Sequence, residues 1–328
     1  MCTTYDAALL DLDGVVYLGG KAIPGAAKAL GEAAQAGMRL AYVTNNASRS
    51  PSAIAGQLTS LGVPAGPADI VTSAQAAARL LAERLPPGSP VLVAGGMGLR
   101  LALRERGLRP VSVAAERPAA VVQGFAPDIS YSLLAEAALA IRAGALYVAS
   151  NADATLPSPR GLQPGNGSLI ALLTTATGRR PEVAGKPEPP LHAEAVQRTG
   201  AVRPLVVGDR LDTDIEGAVR AQTDSLLVLT GVTGPAEALL APAGQRPAYL
   251  AAGLSGLLTA HPGVTAGESG FSCGGWTARR DGDSGKLSLS GSGDPVDGLR
   301  ALCGAAWSGP GLSPEQAADA VQGLDLPS

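Results

Sequence analysis

A chain of 328 residues, 46% of them apolar, is long enough for two or three domains and a sizeable core. Aromatic residues make up only 3%, so that core must be built from Ala, Val and Leu, and stacking platforms are scarce. A net charge of −3 without any local Lys/Arg cluster argues against a nucleic-acid partner.

In chain order, the first stretch alternates short β-branched runs with Ala/Leu-rich periodic segments. These read as a strand at Ala7 to Leu10, a helix from about Pro24 to Ala36, a strand at Leu40 to Val43 and a helix from about Pro51. That alternation predicts a parallel sheet with crossover helices. From about Arg79 the pattern restarts: VLVAGG leads into GLRLALRERG, AAVVQGF into a helix near Tyr131 to Ala143, and ALYVAS into a loop and the helix SLIALLTTATG. This block reads as a small α/β domain inserted in the first. After Arg180 come a GKP loop, a helix near Leu191 to Thr199, the strand PLVVGD, a helix after Asp214 and the strand SLLVLTG.

Past His261, GVTAGESGFSCGG reads as a Gly/Ser-rich linker. Beyond it WTARR and KLSLS flank DGDSG as a hairpin, and two short helices begin near Asp294 and Ser313. This tail, too short for a complete acyltransferase, is a separate small module. The expected domains are therefore 1–78 and 182–260 for a Rossmann-like parallel-sheet core, 79–181 for an inserted α/β cap, and 261–328 for the linker and a small α+β appendage.

Sparse residue types narrow the chemistry. Only two histidines are present, so Asp and Glu must carry acid-base work. The three cysteines are widely spaced and suit a reducing cytoplasm rather than a zinc site. The start of the chain lacks a basic, then apolar, leader pattern and no apolar run is long enough for a membrane span, so a cytoplasmic protein without a membrane partner is expected. Lysines number only four, which singles out each one.

Candidate site residues follow the strands, at the end of a parallel sheet where ligands bind. DLDG sets Asp11 and Asp13 side by side, and two carboxylates so close are costly to bury unless they share a cation or a proton. YVTNN offers the Thr44 hydroxyl and backbone amides at Asn45 and Asn46, groups that can cradle a phosphate. AGKPEP fixes Lys186 between Gly185 and Pro187, where an ammonium would neutralise phosphate oxygens; a plain surface lysine is the alternative. VVGDRLDTDIEGA ends a strand with Asp209, Asp212 and Asp214, hard oxygen donors that suit Mg²⁺.

Taken in this order, DLDGVVY, YVTNNASRS, GKPEPPL and GDRLDTDIEGA resemble the haloacid dehalogenase superfamily over about residues 5 to 255. GFAPDISYSLL, ASNADATLP and PGNGSLIALLTTATGRRP resemble its branch with a large α/β cap, which includes 4-nitrophenylphosphatases and the phosphatases of phosphoglycolate, pyridoxal phosphate and glycerol 3-phosphate. The resemblance implies a Mg²⁺-dependent phosphomonoester hydrolase working through a phospho-aspartate. Asp11 would be the nucleophile and Asp13 the acid-base. Thr44, Asn45 and Lys186 would bind phosphate. Asp11, the Asp13 carbonyl and Asp209 would bind the metal, with Asp214 behind them and Asp212 less certain. Asn151, Asp153 and Asn166 are candidates for holding the cap or touching the leaving group.

Asp rather than an apolar residue at position 13 argues against the dehalogenase end of the superfamily. A small leaving group such as glycerol or glycolate fits an aromatic-poor chain, although Tyr131 and Phe125 weaken that argument. The branch often pairs through its caps, so a homodimer is one expectation. A non-catalytic phosphometabolite sensor and a phosphotransferase or mutase on the same fold remain the alternatives.

Overall fold

The computed structural model describes residues 1–156, 160–282 and 284–326. Pro157 of ASNADATLP and Asp283 of DGDSG, both used in reading the sequence, lie outside them. The chain divides into two compact units, one of Met1–Leu40 with Ala201–Ser328 and one of Ala41–Gly200.

The first unit holds four parallel strands in the order Tyr249–Ala251, Ser225–Val228, Pro204–Gly208, Ala7–Leu10. Ala7–Leu10 and Ser225–Val228 are buried along their whole length, as expected of a sheet covered on both faces. The helix Ala26–Gln35 packs on the helical turn Leu254–Leu257 and buries Ala26, Ala29, Leu30 and Ala33, an i, i+3, i+4, i+7 stripe.

The C-terminal module belongs to this unit. Its antiparallel sheet runs Thr265–Gly267, Gly270–Cys273, Trp276–Arg280, Leu287–Gly291. The helix Pro295–Trp307 packs on that sheet, started by the Asp294 carboxylate, which accepts from Val296 N, and by a proline at its first turn. The Gly/Ser-rich stretch after His261 is thus not a linker but two of the four strands. Gly270 and Gly274 take left-handed backbone at the turns, and Cys273 points into the core. The first of the two expected short helices is also longer than its sequence suggests, thirteen residues.

In the second unit Tyr42, Val43 and Thr44 of the strand Arg39–Thr44, which enters that unit at Ala41, pair in parallel with Ile70–Thr72. The unit also contains a five-stranded parallel sheet in the order Glu182–Val183, Leu146–Ala149, Ala120–Gln123, Pro90–Ala94, Arg109–Val111. Helices Tyr131–Arg142 and Asn166–Thr177 pack against each other, and residues of both join the cluster built on Leu92, Val121, Ile141 and Leu173. The pattern that the sequence restarts near Arg79 has its first strand at Pro90. Arg79 itself lies inside the helix Ser73–Ala82, which Thr72 and Gln75 start with a reciprocal capping box. That helix packs on Met97–Glu105 and on Pro189–Thr199. No helix among the described residues is long and apolar enough to cross a membrane.

Candidate active site

In the first unit, register brings the acids together. Leu10 pairs with Val207, and Asp11 N continues the ladder by donating to Val207 O at 2.8 Å, so Asp11 and Asp209 leave their strands at the same edge. Asp214 reaches them through a π turn, Leu211–Ile215, in which Ile215 N donates to Arg210 O at 3.1 Å and Arg210 N donates to Asp214 Oδ2 at 3.2 Å. Such widened turns are frequent at functional sites. One carboxylate oxygen from each of Asp11, Asp209 and Asp214 lies within 4.8 Å of the others.

Backbone without side chains makes room for this. Gly14, in the left-handed region at φ +79°, and Gly231 both approach the Asp209 carboxylate so closely that a Cβ on either would overlap it. Gly208 stands in the same relation to Asp214. Val232 N donates to Asp209 Oδ2 at 2.7 Å, Thr233 N to Asp209 O at 3.1 Å, and the Thr230 hydroxyl to Gly14 O at 2.6 Å. Asp209 and Asp214 are each 1% exposed. Carboxylates buried at this spacing repel strongly, and a hard divalent cation bound by oxygen is what such a donor set and its glycine-cleared surroundings fit.

Two neighbouring acids are placed differently. Asp13 is exposed, and its Oδ2 accepts from the Tyr17 hydroxyl at 3.4 Å. Asp212, whose side chain is 60% exposed, takes a two-point ion pair from Arg210, and that pairing holds its carboxyl below the usual range. It is not among the three clustered acids. Asp214, expected behind the metal ligands, stands among the carboxylates beside Asp11 and Asp209.

In the second unit, Asn45 does more than offer a backbone amide. Its side chain clasps the lysine loop: Oδ1 accepts from Lys186 N at 2.8 Å, and Nδ2 donates to Lys186 O at 3.1 Å and to Asp153 Oδ2 at 3.2 Å. Gly185 is required there, since a Cβ would meet the Asn45 carboxamide and Ser150 O. Lys186 is buried, with Nζ 3.3 Å from Val43 O, to which it donates. The Thr44 hydroxyl accepts from Asn46 N at 3.1 Å.

Asn151 donates to Asp153 Oδ2, and Asn166, wholly buried, donates to Asn151 O at 2.7 Å. The three expected cap residues and Asn45 therefore form one hydrogen-bonded brace under the Lys186 loop. The 230–234 loop and this use of the Asn45 side chain escaped the sequence reading. The run TGVTG after a buried strand was the available signal for the first.

Residues 8–109 match the family model of haloacid dehalogenase-like hydrolases, residues 183–257 a second HAD-hydrolase-like model, and residues 273–326 a GCN5-related N-acetyltransferase-like domain. Over 246 residues the chain is 53% identical to D-glycerol 3-phosphate phosphatase of Mycobacterium tuberculosis, covering 75% of this chain and 69% of that one. It is 38% identical over 231 residues to an acid sugar phosphatase of Staphylococcus aureus, covering 70% of this chain and 88% of the relative. The crystal structure of a glycerol phosphate phosphatase of M. tuberculosis in complex with magnesium superposes with a TM-score of 0.86 at 44% identity, covering 99% of this chain and 98% of the other. The chain belongs to the haloacid dehalogenase-like hydrolases. These relatives put it on the phosphatase side of that family, and the last superposition extends over the C-terminal module as well.

Proposed function

We propose that this chain is a Mg²⁺-dependent phosphatase for a small phosphorylated metabolite, with glycerol 3-phosphate as its substrate. The observation that carries the reading is the cluster of Asp11, Asp209 and Asp214, three carboxylate donors gathered where two parallel strands end. The likeness to the M. tuberculosis glycerol phosphate phosphatases supports the choice of substrate. A leaving group as small as glycerol also asks for no aromatic platform.

Asp11 would attack phosphorus in line through a carboxylate oxygen, giving a phospho-aspartate as the ester oxygen departs. Asp13 would hand that oxygen its proton, then take one from the water that attacks the phospho-aspartate, releasing inorganic phosphate and restoring the Asp11 carboxylate. One acid thus serves both half-reactions, the economy that covalent catalysis allows. Thr44, the Asn45 amide and Lys186 would bind the phosphoryl oxygens, whose charge spreads in the transition state. The Asn45 clasp and the Asn151–Asp153–Asn166 brace keep Lys186 in place rather than touching substrate.

Mg²⁺ would be held by Asp11, the Asp13 carbonyl, Asp209 and Asp214, and when bound it neutralises these acids and the phosphoryl oxygens. Residues 79–181 would act as the cap that excludes water. The same reading makes this a cytoplasmic enzyme with no nucleic-acid or membrane partner, pairing through its caps.

Phosphate release from a panel of phosphomonoesters, with and without Mg²⁺, tests the proposal on the unmodified chain and on Asp11→Asn. The expected result is Mg²⁺-dependent turnover, fastest on glycerol 3-phosphate and absent from the variant. Binding of the panel with no release above the variant would make the protein a sensor instead.

A further inference from the structure

The C-terminal module is built into the support of the acids. Resting on the metal reading above, we infer that Trp307 is a positioning residue for the Asp209 carboxylate, and that the module is a working part of the metal site rather than an appendage.

Two routes of contact lead there. Asp209 is held by the main chain of the 230–234 loop, through Val232 N at 2.7 Å and Thr233 N at 3.1 Å. That loop runs directly into the helix Pro235–Leu239, whose five residues are too few to hold their shape alone. The module supplies what the helix lacks. Trp307 Nε1 donates to Ala238 O at 3.2 Å, tying the module to a carbonyl of the last helical turn that also accepts from Ala241 N at 3.3 Å. Ala238 and Leu239 are buried in one apolar cluster with Leu299, Leu302 and Ala305 of the helix Pro295–Trp307. Arg246 adds a lock, donating through Nε to Ala241 O at 3.2 Å while its guanidinium lies 5.5 Å over the Trp307 ring.

The second route runs through the acid-bearing turn itself. Leu211 and Ile215, the two ends of the π turn that carries Asp214, pack in that same cluster. Both segments that aim buried carboxylates at the cluster of acids therefore lean on the module. A shift of its long helix would be passed to the 230–234 loop and so to Asp209. Close-packed interiors transmit such displacements instead of absorbing them.

The test is a Mn²⁺ titration followed by electron paramagnetic resonance on the full chain, comparing the unmodified protein with Trp307→Phe, Trp307→Ala and, as reference, Asp209→Asn. Phe keeps a ring beneath Arg246 and loses only the indole N–H bond, whereas Ala loses both. Outer partners that touch a ligand directly are worth 10–100-fold in metal affinity; one step further out, we expect Mn²⁺ to bind roughly 3-fold more weakly in Trp307→Phe and roughly 10-fold more weakly in Trp307→Ala. The Mg²⁺ concentration for half-maximal activity should rise by the same factors, with kcat at saturating Mg²⁺ and KM for substrate unchanged.

Folded variants that melt at a lower temperature yet bind Mn²⁺ as tightly as the unmodified chain would overturn the inference, leaving the module a purely structural cover. Should Trp307→Ala fail to fold, Trp307→Phe decides alone. Equal Mn²⁺ binding by the unmodified chain and Asp209→Asn would overturn the metal reading of the acids, and this inference with it, whatever the Trp307 variants do.

Discussion

Gly14 and Asp209 share a space that admits no further carbon: a Cβ on Gly14 would lie inside the contact distance of the Asp209 carboxylate, and Gly14 already holds a left-handed backbone at φ +79°. Gly14→Ala therefore meets two penalties at once. Left-handed backbone costs a residue with a side chain about 1–2 kcal/mol, and the methyl group must also displace the acid. We expect a lowered melting temperature and a loss of about 100-fold in kcat, the scale of a misplacement near 1 Å. Steady-state kinetics on the purified variant checks this, and near-normal turnover would refute the assigned role of Asp209.

The strand-end motifs were legible because each acid follows a buried apolar run, Ala7–Leu10 before Asp11 and the Leu-Val-Val of Pro204–Gly208 before Asp209, so both acids announce themselves by interrupting it. Less could be read where a long-range partner decides the role. Asn45 looks like a strand-end turn residue, and only the fold brings it to Lys186, 141 positions away. Asp214 joins the clustered acids because a π turn inserts one extra residue per turn, a geometry with no sequence signature. The 263–275 stretch misled because its strands are short and Gly/Ser-rich. They are held by their neighbours in the sheet and by the helix Pro295–Trp307, not by their own apolar pattern.

Asp13→Asn separates the two half-reactions. With 4-nitrophenyl phosphate, whose leaving group departs without a proton, Asp11 can still be phosphorylated, but the water step lacks its base. A burst of about one nitrophenolate per site should precede turnover slowed by roughly 10²–10⁴-fold, the usual worth of a general base. With glycerol 3-phosphate the first step stalls too and no burst should appear. Rapid-quench kinetics measures both. A burst with the two substrates alike would remove Asp13 from the role of acid.

Glu194 is a charge hub of the second unit. It is buried, and it accepts from Arg106 Nη2 at 2.9 and 3.0 Å and from Arg198 Nη2 at 2.9 Å, with Arg79 Nη1 3.8 Å away. Arg79 and Arg198 lie on the packed helices Ser73–Ala82 and Pro189–Thr199, and Arg106 caps Met97–Glu105. Glu194→Gln takes the counter-charge from Arg106 and Arg198, while Arg79 keeps its pair with Glu83 at 2.7 Å, and we expect a loss of about 3 kcal/mol, the lower end for breaking a buried pair because the arginines keep some solvent. Glu182 is the contrast. It pairs with Arg84 while both side chains are more than 40% exposed, so Glu182→Gln should change stability by less than about 1 kcal/mol. Urea unfolding of both variants decides. Equal effects would mean that burial does not set the worth of these pairs.

His192 makes acid sensitivity a testable property of the helix that follows the Lys186 loop. The side chain is buried on Pro189–Thr199, Nδ1 has no hydrogen-bond partner among the described residues, and burial, with Lys186 adding to it, pushes the imidazole down to about 3. In the unfolded chain it titrates near 6.5. Below that pH the unfolded state takes up a proton that the folded state refuses, so the His192 contribution is complete above about 6.5 and drains away as pH falls toward 3. The slope approaches about 1.4 kcal/mol per pH unit within that window. His192→Leu removes the titrating group while keeping an apolar side chain of similar bulk. Urea midpoints should therefore fall less steeply from pH 7.5 to 4.5 in the variant than in the unmodified chain, whereas parallel losses would show that His192 is protonated as readily folded as unfolded.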